Sequence, residues 1–378
     1  MNQIKNKFLL NPDMTYLNHG SFGACPKPVF EDYQNWQKKL EFHPAHFLTE
    51  TLYKTLYESR RSLSEFVGCD EDEIIFFQNP TTAVTNIIHN LNVKHNDEIL
   101  MTNHEYGALV RAWLVWAKKS GAKIVQQEIS TPVSTEEKFM DDFWKGVTSR
   151  TKVIFISQIT SSTGLIFPIA SIIKMAKEKG ILTIVDGAHV PAHIPLDIHK
   201  LGCDFYAGAC HKWLCGPKGA SFLFVKKKHQ DWIKPLIVSW GNSGDDPGPS
   251  EFLTEFNWQG TRDMSSFLAI PAAIKFYVDE IKSHQETCRN IIQTVYYDFQ
   301  NVLKTDPIST GGNWLGQMVS HPLPKRTPKN FKKKLWDDTK IEIPIFTWNE
   351  TQFIRISIQV YNSQKDVDFL MSALRSYF

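Results

Sequence analysis

The chain has 378 residues, with 42 Lys and Arg against 40 Asp and Glu and a formal net charge of +2. A nucleic-acid or membrane-surface protein would carry a clear cationic excess, so we expect neither partner. The length suits two domains, or one large domain with a smaller one. No stretch approaches the roughly 18 consecutive apolar residues of a membrane span, and the apolar run at residues 8–10 is too short for a signal peptide. We therefore expect a cytoplasmic protein.

The first part of the chain is predicted to be helical. Residues 28–42 and 46–67 have helical patterns, and Gly68 is a typical end for the second of them. These helices precede a region of a different character.

Residues 73–225 alternate between strand and helix patterns. Leu109, Trp113 and Trp116 recur at helical spacing before Gly121, and residues 169–180 have a similar pattern that also ends at a glycine. The predicted strands are residues 73–78, 98–102, 123–128, 152–157, 182–186 and 221–225. Apolar strands that alternate with helices predict a mostly parallel sheet covered on both faces, with ligands at the carboxyl ends of its strands.

The last part of the chain changes pattern again. Residues 241–250 are rich in Gly, Pro, Asp and Ser and are predicted to form a mobile loop. The further predicted elements are a helical stretch at 265–303, strands at 343–346 and 353–358, and a helix at 365–376. We expect a large central α/β domain with a smaller domain built from both chain ends.

Two segments carry the clearest chemical pattern. Asp186 ends a strand that should be buried, where an unpaired carboxylate would be costly, so it needs a cationic or protonated partner. Lys212 lies in a Gly-rich loop beside His211, where burial and a neighbouring cation lower a lysine pKa. A lysine of low pKa is a Schiff-base nucleophile. A strand-end aspartate with a loop lysine is the pair that a pyridoxal phosphate (PLP) site uses.

Three motifs resemble a known family. Residues 16–23 (YLNHGSFG), 186–189 (DGAH) and 210–219 (CHKWLCGPKG) are similar to the fold-type I PLP enzymes of aminotransferase class V, and most of all to their isopenicillin N epimerase-like branch. The resemblance implies an α/β fold, a three-layer sandwich around a mostly parallel sheet, plus a smaller α+β domain. The implied divisions are residues 1–45 for the N-terminal segment and lid, 46–265 for the large PLP-binding domain, and 266–378 for the long helix and small domain.

The resemblance assigns roles to four residues around the cofactor ring. Lys212 matches the lysine that bonds to PLP, and Asp186 matches the partner of the pyridine nitrogen. His189 matches the position near the phenolic oxygen, and His211 matches a phosphate contact. Lys212, Asp186 and His189 are thus the implied catalytic residues.

The resemblance also implies further cofactor contacts. Thr81 and Thr82 follow a strand and open a helix, as in the family's phosphate cradle, and a helix N-terminus suits an anion. Tyr106 aligns best with the residue that stacks on the pyridine ring, with His104 as the alternative. Ser161 matches a side chain that hydrogen-bonds the phenolic oxygen or the imine region.

Assembly and substrate binding are implied in the same way. Thr261 matches the element that reaches across a dimer interface to the partner's phosphate, which predicts a homodimer with a shared active site. Arg355 matches the arginine that binds the substrate α-carboxylate, a role that suits a bidentate guanidinium. Asn18 and His19 belong to a loop that covers the site, so they are candidate substrate contacts.

Two departures from the family pattern narrow the function. Many members have a hydroxyl residue where this chain has Ala209, so the phosphate cradle must differ in detail. No cysteine follows Cys288, although the related desulfurases carry a persulfide-forming cysteine before the carboxylate-binding arginine. Desulfurase chemistry is therefore disfavoured.

The cysteines predict neither a metal site nor disulfides. The closest group, Cys203, Cys210, His211 and Cys215, lacks the paired spacing of structural zinc sites. Six cysteines without a C-x-x-C pair or a dense framework favour reduced thiols. We expect no metal.

The expected activity is PLP-dependent chemistry at Cα of an amino acid, by epimerisation or Cβ–S lyase chemistry. The alternatives are a class V aminotransferase and a non-catalytic PLP-binding member. Taken singly, the site residues have ordinary structural explanations, such as a helix N-cap for the threonines. Because these residues occur in the same order as in the family, a single cofactor site is favoured. The sequence does not determine the substrate or the step that follows removal of the Cα proton.

Overall fold

The structure, a computed structural model, describes residues 2–242 and 248–378, with side chains from residue 4 onward. Part of the predicted loop at 241–250 therefore lies outside the described residues. The strands are β1 (Thr15–Tyr16), β2 (Ile74–Phe77), β3 (Glu98–Thr102), β4 (Lys123–Gln127), β5 (Thr151–Ser157), β6 (Leu182–Gly187), β7 (Phe205–Ala209), β8 (Ser221–Val225), β9 (Met318–Pro322), β10 (Ile341–Glu342), β11 (Ile345–Trp348) and β12 (Thr351–Ser357).

The α-helices lie before, between and after these strands. They are α1 (Asn2–Lys5), α2 (His19–Phe22), α3 (Lys27–Phe42), α4 (Pro44–His46), α5 (Leu52–Val67), α6 (Pro80–Asn90), α7 (Gly107–Ser120), α8 (Glu136–Trp144), α9 (Ile169–Glu178), α10 (Ile198–Leu201), α11 (Glu251–Asn257), α12 (Ser265–Leu268), α13 (Ile270–Phe276), α14 (Gln285–Leu303), α15 (Phe331–Thr339) and α16 (Gln364–Tyr377). A π-helical turn at Phe47–Thr51 joins α4 to α5.

The main sheet has seven strands in the order β2-β8-β7-β6-β5-β3-β4. Strand β8 is antiparallel to both of its neighbours, β2 and β7, and the other neighbouring pairs are parallel. The prediction of an α/β fold with a mostly parallel sheet is confirmed. The carboxyl ends of β2, β3, β5, β6 and β7 consequently meet at one edge.

Both faces of this sheet are buried, which explains the nearly continuous apolar strands. In β5, Val153 and Phe155 pack into one hydrophobic cluster, whereas Ile154 and Ile156 pack into another. Alternate side chains point to opposite faces of a strand, so the two clusters lie on the two sides of the sheet. This arrangement is the three-layer sandwich.

The helices that cover the sheet end where the sequence indicates. Gly68 follows α5 with φ of 73°, and Gly121 follows α7 with φ of 76°. Both values lie in the left-handed region, which glycine enters without the steric cost of a Cβ atom.

Both chain ends contribute to the smaller α+β part. Strand β1 pairs in parallel with β10, with Thr15 opposite Ile341. A separate antiparallel sheet has the order β11-β12-β9. The domain limits at residues 45 and 265 stay a prediction.

Several elements differ from the sequence prediction. Strand β7 was missed because its small residues, Ala207 to Ala209, give a weak strand pattern, and β9 was missed because it contains a histidine and ends at Pro322. The helical stretch at 265–303 is interrupted by a π-helical turn at Tyr277–Ile281 and a 3-10 turn at Lys282–His284. Within residues 2–242 and 248–378, no helix combines the length and apolar character needed to cross a bilayer.

Candidate active site

A cavity of about 480 Å³ lies at the carboxyl edge of the main sheet. Its wall collects residues that follow β2, β3, β5 and β7 and residues at the end of β6. The wall consists of Ser21, Phe22, Asn79, Pro80, Thr81, Thr82, Tyr106, Leu109, Ile159, Ser161, Asp186, Ala188, His189, His211 and Lys212. The structure thus brings together eight residues that the sequence had singled out, from segments far apart in the chain.

Asp186 presents its carboxylate from the buried end of β6. The side chain is 5% exposed, and its Oδ1 accepts a hydrogen bond of 3.0 Å from the N–H of Ala188. Burial raises the pKa of this carboxyl group, while the Ala188 N–H and the positive charge of Lys212 oppose the rise. A protonated heterocycle nitrogen would supply the cationic partner that this buried carboxylate needs.

Lys212 and His189 are in contact on the same wall. Lys212 Nζ lies 3.1 Å from His189 Nε2. Burial lowers the pKa of Lys212 to about 8, an effect that Asp186 opposes and Arg355 reinforces. Burial also holds the pKa of His189 well below its usual value, with a further contribution from the charge of Lys212. Near neutral pH the site therefore contains a neutral imidazole beside an amine that loses its proton readily.

The loop between β7 and β8 holds Lys212 in place through its backbone. The N–H of Gly216 donates to the carbonyl of Cys210 at 2.8 Å, and the N–H of Cys210 donates to the carbonyl of Ala220 at 3.0 Å. The carbonyl of Lys212 itself lies 3.1 Å from Nε2 of the buried His19. The loop is thus tied both to the next strand and to the N-terminal segment.

The N-terminus of α6 forms another side of the cavity. Asn79 caps this helix, since its Oδ1 accepts hydrogen bonds from the N–H of Thr82 at 2.8 Å and from the Thr82 hydroxyl at 3.0 Å. Among the described residues, the hydroxyl of Thr81 makes no hydrogen bond inside the chain, and Pro80 has no N–H to offer. The positive end of the helix and the free Thr81 hydroxyl suit a phosphate group.

His211 lines the same cavity as this helix end. Its Nδ1 donates to the carbonyl of Ala220 at 3.2 Å, which leaves Nε2 for another partner. Burial lowers the pKa of His211 to about 4, with a further contribution from Lys212.

Tyr106 and His104 occupy different environments. Tyr106 is 42% exposed, precedes α7 and forms part of the cavity wall. His104 is fully buried outside the wall, with Nδ1 2.9 Å from the hydroxyl of Thr163 and its ring centroid 4.6 Å from that of Trp348. The structure brings Tyr106 to the cavity and not His104.

Arg355 lies behind the wall and contacts two of its residues. It is 4% exposed, and its guanidinium donates to the hydroxyl of Ser21 at 2.8 Å and to the carbonyl of Ser161. Its buried Nε has no hydrogen-bond partner in the described part of the chain. Burial lowers the pKa of Arg355 to about 10, so the group stays charged at neutral pH.

Two predicted substrate contacts do not reach the wall. His19 is fully buried, with Nδ1 2.8 Å from the Tyr361 hydroxyl. Asn18 is 8% exposed and donates to Glu342 at 3.3 Å. The same segment contributes Ser21 and Phe22 instead, which sequence reasoning missed although they belong to the quoted motif at 16–23.

Thr261 is not among the wall residues of the cavity in the single chain, and it is exposed. Its expected role concerns a partner subunit, so that role stays a prediction.

Known proteins resemble this chain in sequence and in fold. The sequence profile of the family described as aminotransferase class-V matches residues 16–370. Isopenicillin N epimerase of Amycolatopsis lactamdurans is 29% identical, over 97% of this chain and 96% of its own. A probable chloroplastic L-cysteine desulfhydrase of Arabidopsis thaliana is 25% identical, over 96% of this chain and 83% of its own. The apo structure of a cysteine desulfurase from Thermococcus onnurineus NA1 shares the fold, with a TM-score of 0.83, 20% identity and coverage of 99% of this chain and 97% of that one.

Proposed function

Because the chain belongs to the aminotransferase class-V family, whose cofactor is pyridoxal 5′-phosphate, we propose that it acts at Cα of an amino acid, by Cβ–S cleavage or by epimerisation. One observation carries the proposal. Lys212, with a pKa lowered to about 8, shares one cavity wall with the buried carboxylate of Asp186. A nucleophilic amine and a carboxylate that favours a cationic ring are the two groups that this cofactor requires.

The donor set of the cavity fits the whole cofactor. Thr81 and the N-terminus of α6 suit its phosphate, Asp186 suits its ring nitrogen, and the ring of Tyr106 suits its face. When bound, PLP supplies an electron sink for the negative charge that develops at Cα.

The residues of the chain have distinct tasks in this reaction. Arg355 binds the α-carboxylate of the substrate and so orients the Cα–H bond. Lys212, as a neutral amine, takes the proton from Cα. Asp186 keeps the proton on the ring nitrogen. His189 would donate a hydrogen bond to the phenolic oxygen of the bound cofactor.

Cβ–S cleavage is the first candidate because it needs one base. Among the described wall residues Lys212 is the one amine, and after taking the Cα proton it can return that proton to the departing sulfur. The C–S bond electrons leave with the sulfur as a double bond forms between Cα and Cβ. The similarity to a probable L-cysteine desulfhydrase supports this choice.

Epimerisation is the second candidate because it needs an acid on the opposite face of Cα. The Tyr106 hydroxyl, on the wall together with Lys212, is the residue we propose for that role. The similarity to isopenicillin N epimerase supports this candidate.

A panel of substrates distinguishes the candidates. The holoenzyme would be incubated in D₂O with L- and D-amino acids, cystine and S-substituted cysteines, and the products would be analysed. Release of a thiol or sulfide with a 2-oxo acid identifies a lyase, and the opposite enantiomer with Cα deuterium identifies an epimerase. Tyr106→Phe should abolish epimerisation but leave sulfur release. Transfer of the amino group without either product would indicate an aminotransferase. Cofactor binding without any product would contradict the proposed activity.

We further propose a homodimer in which Thr261 of each subunit contacts the partner's phosphate site, in a cytoplasmic location. Lys212→Ala and Thr261→Ala homodimers would each lose activity. Subunits of the two variants, once mixed and exchanged, would regain up to a quarter of wild-type activity, since each mixed dimer has one intact site. Sedimentation velocity measures the assembly, and no recovery in verified mixed dimers would contradict the shared site.

A further inference from the structure

We propose that Trp213 is a positioning residue that keeps the proton of His189 on Nε2, facing Lys212. The inference adds a residue to the cofactor site proposed above, but it concerns the chain before any cofactor binds. It can therefore be tested even if the proposed activity is wrong.

The indole of Trp213 determines the tautomer of His189. Trp213 Nε1 lies 3.3 Å from His189 Nδ1. An indole N–H can only donate, so Nδ1 must be the unprotonated, accepting nitrogen of the imidazole. His189 is 2% exposed, and a ring in this environment stays neutral, so its single proton lies on Nε2.

This tautomer has a consequence for Lys212. His189 Nε2 is 3.1 Å from Lys212 Nζ, a hydrogen-bond distance. An ammonium group has no lone pair and cannot accept a hydrogen bond from Nε2–H. The contact is a hydrogen bond only when the Lys212 amine is neutral, so the tautomer favours the nucleophilic form.

Trp213 is held firmly enough to do this. It is fully buried, and its ring stacks on that of His193 with centroids 3.8 Å apart and planes at 26°. The ring of His19 also packs against it, with centroids 5.0 Å apart and planes tilted by 58°. The indole therefore has little freedom to turn its N–H away from His189.

His193 also anchors the backbone of His189. Its Nε2 accepts a hydrogen bond of 2.7 Å from the N–H of Gln317, so its proton is on Nδ1, which donates to the carbonyl of His189 at 2.9 Å. The two histidines thus carry their protons on opposite nitrogens. The charged and titratable groups whose fields act on His189 are Lys212, Arg355, His193 and His211.

Trp213→Phe removes the N–H that faces His189 and keeps an aromatic ring against His193. His189 can then carry its proton on Nδ1 and accept a hydrogen bond from a Lys212 ammonium through Nε2. Because that bond favours the charged lysine, the pH midpoint for the reaction of Lys212 with free PLP should rise by on the order of one unit.

Trp113→Phe is the matched control. Trp113 is also fully buried and packs on Phe155, but its Nε1 has no hydrogen-bond partner in the described residues. This variant loses the same atoms from an apolar core and should leave His189 and Lys212 unchanged.

The test is NMR of the cofactor-free protein labelled with ¹⁵N-histidine, in which two-bond ¹H–¹⁵N correlations identify each tautomer. His189→Gln assigns the signal of His189. We expect His189 to carry its proton on Nε2 in the wild type and in Trp113→Phe. In Trp213→Phe we expect the proton on Nδ1, or a mixture of the two tautomers, together with the higher pH midpoint for the reaction of Lys212 with PLP. An Nδ1–H tautomer in the wild type, or an unchanged tautomer in Trp213→Phe, would overturn the proposal.

A second measurement covers the case in which Trp213→Phe does not fold. In wild-type protein labelled with ¹⁵N-tryptophan and ¹⁵N-histidine, scalar coupling across the hydrogen bond should connect Nε1 of Trp213 to Nδ1 of His189. If His189 Nδ1 shows no scalar coupling to an indole nitrogen, the proposed hydrogen bond from Trp213 is wrong. Failure of the chain to bind PLP would contradict the proposed function and leave this result intact.

Discussion

The guanidinium of Arg355 donates a hydrogen bond of 2.8 Å to the hydroxyl of Ser21 at the wall of the cavity. The bond joins strand β12 to helix α2, from opposite ends of the chain. A substrate carboxylate is a charged and therefore stronger acceptor than the neutral Ser21 hydroxyl, so it can take the place of that hydroxyl on the Arg355 guanidinium.

Arg355→Ala should therefore weaken substrate binding. We expect the KM for the amino acid to rise by an amount equivalent to about 2 to 5 kcal/mol, because the buried carboxylate loses its charged partner. Arg355→Lys should recover part of the lost substrate affinity. Arg375→Ala is the control, since Arg375 is exposed on the last helix. Steady-state kinetics measures the effect. An unchanged KM would remove Arg355 from substrate binding without affecting the cofactor site.

Lys212→Ala should abolish the covalent bond to PLP. Lys218→Ala is the matched control, since Lys218 lies in the same loop but donates to the carbonyl of Gly23 at 3.3 Å. After borohydride reduction, peptide mass spectrometry should find the cofactor on Lys212 in the wild type and in the Lys218 variant. Labelling of Lys218 in the wild type would contradict the assignment.

The rate at which PLP attaches to Lys212 should rise with pH. Burial lowers the pKa of Lys212 to about 8 in the cofactor-free chain, and the neutral amine is the nucleophile. The attachment rate should rise with pH and level off above about 8. Stopped-flow absorbance with free PLP measures this profile. A midpoint near that of an ordinary lysine would show that the amine is not desolvated.

Glu105 gives a pH dependence of stability. Its buried carboxylate accepts hydrogen bonds from the N–H and the hydroxyl of Ser157, at 2.8 and 2.5 Å, and from the hydroxyl of Thr102 at 2.6 Å. Burial nevertheless raises its pKa from 4.5 to about 7. A raised folded-state pKa gives stability that is present below the unfolded pKa and lost as pH rises through the folded one.

The unfolding free energy of the wild type should therefore fall by about 3 kcal/mol relative to Glu105→Gln between about pH 4.5 and pH 7. Urea unfolding of both cofactor-free proteins across this range measures the difference, in which other titrating groups cancel. A constant difference would mean that folding does not raise the pKa of Glu105.

Gly23→Ala should disturb the cavity from behind. A Cβ atom at Gly23 would lie 2.0 Å from the carbonyl oxygen of His211, and its φ is 67°. Gly180→Ala is the control, since its φ is 66° and a Cβ there meets nothing within 4 Å. Both variants incur the left-handed backbone penalty, but Gly23→Ala alone should also weaken PLP retention, measured by dialysis and absorbance. Equal retention would show that the loop of Lys212 can move aside.

The sequence predicted the main sheet and much of the cavity because both depend on local patterns. Asp186 lies at a strand end, Lys212 lies in the loop after a strand, and Thr81 lies in the first turn of the helix that follows a strand. Neighbouring parallel strands bring such positions together, so they can be predicted without knowledge of distant contacts. Strand β7 escaped because Gly208 has a packing role: a Cβ there would lie 2.3 Å from the ring of Phe222, a contact that only the folded sheet reveals.

The positions that sequence could not assign depend on tertiary contacts. Nothing local separates His104 from Tyr106, yet the first is buried against Trp348 and the second faces the cavity. Similarly, His19 and Ser21 belong to one short helix, and only its docking decides that the serine reaches the wall.

The parallel pairing of Thr15 with Ile341 also has a consequence for biosynthesis. At roughly 5 to 20 residues per second, a ribosome needs on the order of tens of seconds to add the residues between the two strands. Strand β1 waits without its partner throughout that time. A nascent chain that stops short of β10 would leave its leading segment undocked, open to chaperones and proteases.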